Sequence, residues 1–148
     1  MILRKPNSNF TLANFFRAQL YSAMATLKLG MDLLAEEQVA IDGLTGHGGL
    51  FKTPVVGQRY MAAACNAPIS VMKAAGEGGP YGMALLAAYM LRKQADEALE
   101  DYLADKVFVN AKSSTVMADK ADIDGFAAFL ATYQRALPME NAAIEAMR

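Results

Sequence analysis

The residues most able to do chemistry lie in a glycine-rich stretch, GLTGHGGLFKTP, at residues 43–54. Gly43, Gly46, Gly48 and Gly49 let a backbone approach a flat ring or a phosphate closely. Lys52, Thr53 and Pro54 then open a helix, whose first free N–H groups favour negative charge. The spacing matches neither GxxxxGK[ST] nor GxGxxG, so the stretch is not a Walker loop or a dinucleotide fingerprint. It fits either a tight strand-to-helix turn or a ligand site. A second stretch, AAGEGGPYG at residues 74–82, again follows a strand pattern and precedes a helical one. Two such loops after adjacent parallel strands would line one crevice, where open α/β sheets bind ligands. Glu77 could there bond a ribose hydroxyl, or else serve as a solvated loop carboxylate or a cap for the helix at Pro80. The remaining reactive types form no set. His47 is the only histidine and has no partner carboxylate or nucleophile, which favours a structural role. Cys65, in the apolar run MAAACN, reads as a small buried hydrophobe. Asp96, Glu97, Glu100, Asp101 and Asp105 read as a solvated face, with no turn to gather them around a metal. The ten methionines mostly fall on helix faces and read as core.

The elements that must position these loops follow from periodicity. Leu12, Phe15, Phe16, Leu20, Met24, Leu27, Met31 and Leu34 recur every three or four residues, predicting a helix over 12–37 capped by Thr11. Gly30 inside it costs about 1 kcal/mol relative to Ala, which implies another backbone passing close by. Residues 38–45 read as a short strand with Val39, Ile41 and Leu44 inward. A helix follows from Lys52 or Thr53 to about 66, with Pro54 in its first turn. Pro68 opens a second strand over 68–72, in which Ile69 and Val71 are β-branched. From Pro80 a third helix is expected over 81–103; its half over 83–91 is apolar all round, which implies burial on several sides. Residues 105–121 read as a surface connection. Asp122 is the expected cap of a fourth helix with Ile123, Phe126, Leu130 and Tyr133 on one face, ended by Pro138 before a last short helix to Arg148. This order predicts two short strands paired in parallel through a right-handed crossover. Two strands are too few for an independent sheet, so the edge and the apolar first helix should be covered by more protein or by a second copy of this chain.

The 148 residues suit one domain able to bury a core, and 54% hydrophobic with 20% charged residues is a globular composition. The formal charge of −1 leaves no basic patch of the kind that neutralises a nucleic-acid backbone. A single cysteine excludes an internal disulfide and points to a reducing compartment. No apolar run would span a bilayer, and MILRKPNSNF lacks the apolar core of a secretory signal, so the chain reads as soluble and cytoplasmic, without nucleic-acid or membrane partners.

The ordered motifs carry a resemblance. HGGLFKTP at 47–54, APISVMK at 67–73 and EGGPYGMALLA at 77–87 follow one another at the spacing of the FGGY family of carbohydrate kinases. There a strand ends in a motif like TGGGAKSP, a helix leads to a PVxV-type strand, and an acidic loop runs into GAA. FAAFLATYQRALP, at 126–138, is similar to the family's closing helices. The resemblance implies an α/β fold: part of a ribonuclease-H-like, actin-like ATPase domain, helix-rich with two short parallel strands. It implies ATP as the nucleotide, with Gly48 and Gly49 packing on adenine and ribose and Leu50, Lys52, Thr53 and Glu77 completing the contacts. Lys52 and Thr53 fall where the family has Lys and Ser. The sequence departs from the family at Leu50 and Phe51, which replace small residues, at His47, where Gly or Thr is usual, and at Tyr21, where many members carry Glu. The larger Leu50 and Phe51 imply an adenine slot that is narrower or differently shaped.

The resemblance also implies parts that these residues do not contain: an N-terminal domain with an Asp-Gly-Thr phosphate turn, the sugar pocket and an Asp base, and a second phosphate turn early in the C-terminal domain. Phosphoryl transfer depends on positioning, metal and charge neutralisation around the transferring group. Residues 1–148 are therefore expected to supply the adenosine end of a site for ATP and magnesium and not to phosphorylate a sugar alone. The intact enzyme would act on a ketopentose, xylulose or ribulose. The rival expectations are a stand-alone interaction or regulatory module that kept the fold, and a complementary subunit that meets a separate N-terminal half.

Overall fold

The computed structural model describes residues 2–73 and 75–148, so Met1 and Ala74, the first residue of the second loop, lie outside the described residues. The chain forms α1 (Leu12–Glu36), β1 (Leu44–Gly46), a 3-10 turn (Gly49–Lys52), α2 (Val56–Cys65), β2 (Ile69–Met72) and a second 3-10 turn (Ala75–Glu77). Then come α3 (Gly78–Arg92), α4 (Leu99–Tyr102) running into a π-helical turn (Leu103–Val107), β3 (Ser113–Val116) and α5 (Lys120–Ala146). The result is a helix-rich α/β chain with one small mixed sheet. It divides into two compact units, with α2 giving its start to one and Tyr60–Asn66 to the other.

The all-helical unit combines α1, the end of α2 and α5. As predicted, Thr11 caps α1, its hydroxyl accepting from the Asn14 amide at 3.2 Å. The buried stripe is narrower than the periodicity predicts: Tyr21, Met24 and Ala25 are buried, while Leu12, Phe16, Leu27 and Leu34 are exposed. Tyr21 is the pivot. Its ring meets Tyr60 of α2 edge-on at 5.5 Å, Phe126 of α5 at 5.1 Å and Phe129 at 5.3 Å. Such geometries set the ring's positive edge against a neighbour's negative face. Ala62, Ala63, Ala64 and Cys65 are buried beside this cluster's elements, small side chains that let backbones approach. The expected reason for Gly30 fails: no atom lies within 4 Å of where its Cβ would stand.

α5 begins earlier and ends later than expected. Asp119 rather than Asp122 caps it, accepting from the Asp122 amide at 2.9 Å. Pro138 lies inside the helix and does not end it. Proline removes one backbone bond, the one to the carbonyl four residues back, and both Gln134 and Pro138 are exposed residues. Phe126 and Leu130 carry the buried face, as predicted.

The second unit holds the sheet. β1 and β2 pair in parallel with Leu44 opposite Ile69 and Gly46 opposite Val71, which bears out the predicted pairing. β1 starts at Leu44, so Val39 is exposed outside any strand. The expected surface connection contains β3, antiparallel to β2 with Ile69 opposite Val116 and Met72 opposite Ser113. The sheet therefore has three strands in the order β1-β2-β3, not two. Ser70 and Thr115 share a hydroxyl bond of 2.8 Å across the β2–β3 pair. The third predicted helix is split. α3 stops at Arg92, Asp96 takes a left-handed φ of 65°, and Glu97 accepts from the Gln94 amide at 2.9 Å. The Tyr89 hydroxyl donates to the Glu97 carbonyl at 2.6 Å, and Lys106 pairs with the Glu97 carboxylate at 2.6 Å. α3 is apolar all round yet has no buried residue; Met90 and Leu91 are 78% and 86% exposed. An apolar helix shows a demand for cover, which the described residues do not supply.

Gln58, 4% exposed on α2, ties the helix to two strands. Its amide nitrogen donates to the Ile69 carbonyl at 3.0 Å and the Ser114 carbonyl at 2.8 Å. Both donors of one amide group are thus used. Gln58→Leu keeps the volume but removes both bonds, and should lower stability by about 1–3 kcal/mol, read from the urea midpoint. A second expectation concerns acid. Lys106, then the Gln94 amide, hold the Glu97 carboxyl below its ordinary 4.5. A depressed carboxylate stabilises the fold above its unfolded value and loses that contribution as pH falls through the folded one. Lys106→Met should therefore lower the unfolding midpoint above pH 4.5 and converge with the parent chain below it.

Candidate functional site

Both glycine-rich loops belong to the sheet-bearing unit. β1 ends at Gly46 and the chain turns through Gly48, whose φ of 96° suits glycine. The turn Gly49–Lys52 is closed by the Phe51 amide donating to the Gly48 carbonyl at 3.1 Å. Thr53, Pro54 and Val55 then lead into α2. Val55 has a φ of 67°, a left-handed conformation that a β-branched residue rarely adopts. The second loop leaves β2 at Met72 and enters α3 at Gly78, with Glu77 in the N-cap position but making no side-chain capping bond.

The two loops meet. Lys52 Nζ lies 2.9 Å from Glu77 Oε1. That bond, and the ammonium's charge, hold the Glu77 carboxyl below its ordinary value. Glu77 thus makes no helix-capping bond; its exposed carboxylate forms an ion pair between the loops. The glycines divide into two sets. A Cβ on Gly46 would stand 2.3 Å from the Phe51 ring, and one on Gly57 would stand 2.5 Å from the Leu50 carbonyl. One on Gly76 would reach the Lys52 stem at 3.3 Å, and one on Gly78 would reach His47 at 2.8 Å. These four are glycine because the protein fills their space. Nothing lies within 4 Å of a Cβ at Gly48 or Gly49 of the first loop, nor at Gly79 or Gly82 of the second. Their faces are open, which is room for a flat ring.

The predicted residues Gly48, Gly49, Leu50, Lys52 and Thr53 form one continuous turn, and the structure brings Glu77 to it through Lys52. Phe51, a departure from the family pattern in the sequence, folds its ring over the end of β1. Its bulk beside Gly46 was visible, its direction was not. Gln58, which roots the first loop's helix to β2 and β3, gave no sequence signal beyond a polar residue in a helix. His47 is exposed and lies against Gly78 of the second loop. Cys65 is buried, and burial pushes its thiol up while Lys28 pulls the other way, which suits an inert hydrophobe.

No cluster of three His, Cys, Asp or Glu among the described residues could hold a metal. The glycine turn leaves open space beside Gly48 and Gly49. A cavity of about 480 Å³ in the all-helical unit, lined by Phe10, Phe15, Phe129 and Tyr133 among others, includes none of the predicted site residues. No described helix is long and apolar enough to cross a membrane. Val55 offers a test of the turn. A left-handed valine is strained by about 1–2 kcal/mol, and its side chain is 53% exposed, so little packing is lost on replacement. Val55→Asn should raise the thermal midpoint, measured by calorimetry.

A family model for the C-terminal domain of the FGGY family of carbohydrate kinases matches residues 1–91. No curated protein and no solved structure matches the chain. The matched residues carry α1, both loops, β1, α2, β2 and nearly all of α3; α4, β3 and α5, with FAAFLATYQRALP, lie beyond it. The match spans well over half of the sequence and contains every predicted site residue. The chain belongs to the FGGY family of carbohydrate kinases, which are ATP-dependent sugar kinases, by way of that family's C-terminal domain.

Proposed function

We propose that these residues form the adenosine-binding wall of a sugar kinase, with Gly48 and Gly49 against the adenine and ribose and Leu50, Lys52, Thr53 and Glu77 shaping the rest. The observation that carries this reading is the open face of Gly48 and Gly49, in a turn where Gly46, the glycine before them, is filled by the Phe51 ring. Its position inside the family match supports ATP as the ligand. The parallel β1–β2 pair supports a ribonuclease-H-like sheet of which these strands are a part. The exposed apolar face of α3 supports packing against the remainder of such an enzyme, or self-association in its absence. In the intact kinase the γ-phosphoryl group of ATP would pass to a hydroxyl of a ketopentose such as xylulose or ribulose. Magnesium, the phosphate turns and the base come from elsewhere in that enzyme, and residues 1–148 alone are inactive. A buried, unpaired Cys65 fits a cytoplasmic setting.

Calorimetry with ADP should give millimolar binding, about −4 kcal/mol. Gly49→Ala should weaken it while leaving the unfolding midpoint nearly unchanged, because the added Cβ meets only open space. No detectable ADP binding by the parent chain would favour the interaction module. Turnover of ATP with magnesium and a ketopentose by the 148-residue chain would overturn the half-site reading.

A further inference from the structure

The two loops do more than approach one another. Side chains of the first lie on glycines of the second at two successive places, on either side of one residue. His47 covers Gly78, with its Cβ at 2.8 Å and Nδ1 at 2.9 Å from where a Cβ would stand. Lys52 covers Gly76, with Cγ and Cε each at 3.3 Å. Between the two glycines stands Glu77, which takes the Lys52 ammonium at 2.9 Å. The contacts differ in strictness. His47 meets Gly78 through its Cβ, which is fixed to the backbone and cannot swing away. Lys52 meets Gly76 through a flexible stem, and the ion pair limits where that stem can lie.

We propose that His47 and Lys52 clasp the second loop at Gly78 and Gly76, with Glu77 a positioning residue that holds Lys52, so that both loops meet a nucleoside as one preformed wall. The ion pair alone would be a weak fastener, because the Lys52 and Glu77 side chains are 59% and 72% exposed. Steric contact at two glycines supplies the register, and the charge pair selects one Lys52 rotamer within it. Holding the loops together before binding lowers the ordering loss that a ligand must otherwise meet. The clasp has a consequence for recognition that rests on the nucleotide reading above. Lys52 is directed at Glu77 of the second loop in this geometry, so ADP should gain little over adenosine from it.

The test uses the full 148-residue chain, with amide hydrogen exchange over residues 47–53 and 76–79 and calorimetry with adenosine and with ADP. Gly78→Ala drives His47 off the second loop and should speed exchange in both loops. Lys52→Met and Glu77→Gln should each speed exchange in both loops by about two- to fivefold, the range of an exposed ion pair. The double variant should be no faster than either single one. Both single variants should weaken adenosine and ADP to the same degree. Additive effects of Lys52→Met and Glu77→Gln, or exchange that changes only in the mutated loop, would overturn the clasp. So would Glu77→Gln weakening adenosine while Lys52→Met does not, which marks a direct ribose ligand, or Lys52→Met weakening ADP alone, which marks a phosphate ligand. If the parent chain binds neither ligand while the exchange effects remain coupled, the clasp stands and the nucleotide reading falls. The Lys52 and Glu77 variants are surface changes, so the test survives a Gly78→Ala chain that does not fold.

Discussion

The sheet-bearing unit depends on one buried amide. A glutamine brought out of water must replace every hydrogen bond it gives up. Gln58 does so by donating one N–H to β2 and the other to β3. α2 begins where the first loop ends, and β2 ends where the second loop begins. The parallel β1–β2 ladder sets the roots of the two loops side by side, and Gln58 ties the helix that follows the first loop to β2. Lys52 and Glu77 then meet at 2.9 Å. The same amide recruits β3, whose own residues, SSTV, bury little.

What the sequence made legible was local or periodic. The start of α1, its Thr11 cap, the parallel pairing of the two apolar strands and the placement of both glycine loops follow from patterns within a few residues. What it hid was relational. β3 is polar and short, and a strand of that kind is specified by the partner it joins more than by its own alternation. Lys52 and Glu77 are 25 positions apart, and no spacing rule links them. The glycines of both loops looked alike in sequence. Only the positions of Phe51, Leu50, Lys52 and His47 separate those whose faces the protein fills from those left open. α3 misled for a physical reason: an apolar surface predicts burial only when the chain at hand has something to bury it against.

The family match and the folding units have different boundaries. The match ends at residue 91, yet β3 at 113–116 pairs along β2, and Phe126 and Leu130 of α5 are buried. The last third of the sequence is thus structural and not a tail. It supplies an edge strand to the unit that carries the loops and an aromatic face to the unit built on α1.

The composition of α3 has one more outcome. Met83 and Met90 hold their thioethers in solvent, 71% and 78% exposed. Oxidants convert an exposed thioether to a sulfoxide, turning a flexible apolar group into a polar one, and reductases reverse the change. The most apolar helix of the chain is therefore also one whose surface character peroxide can rewrite without breaking a backbone bond.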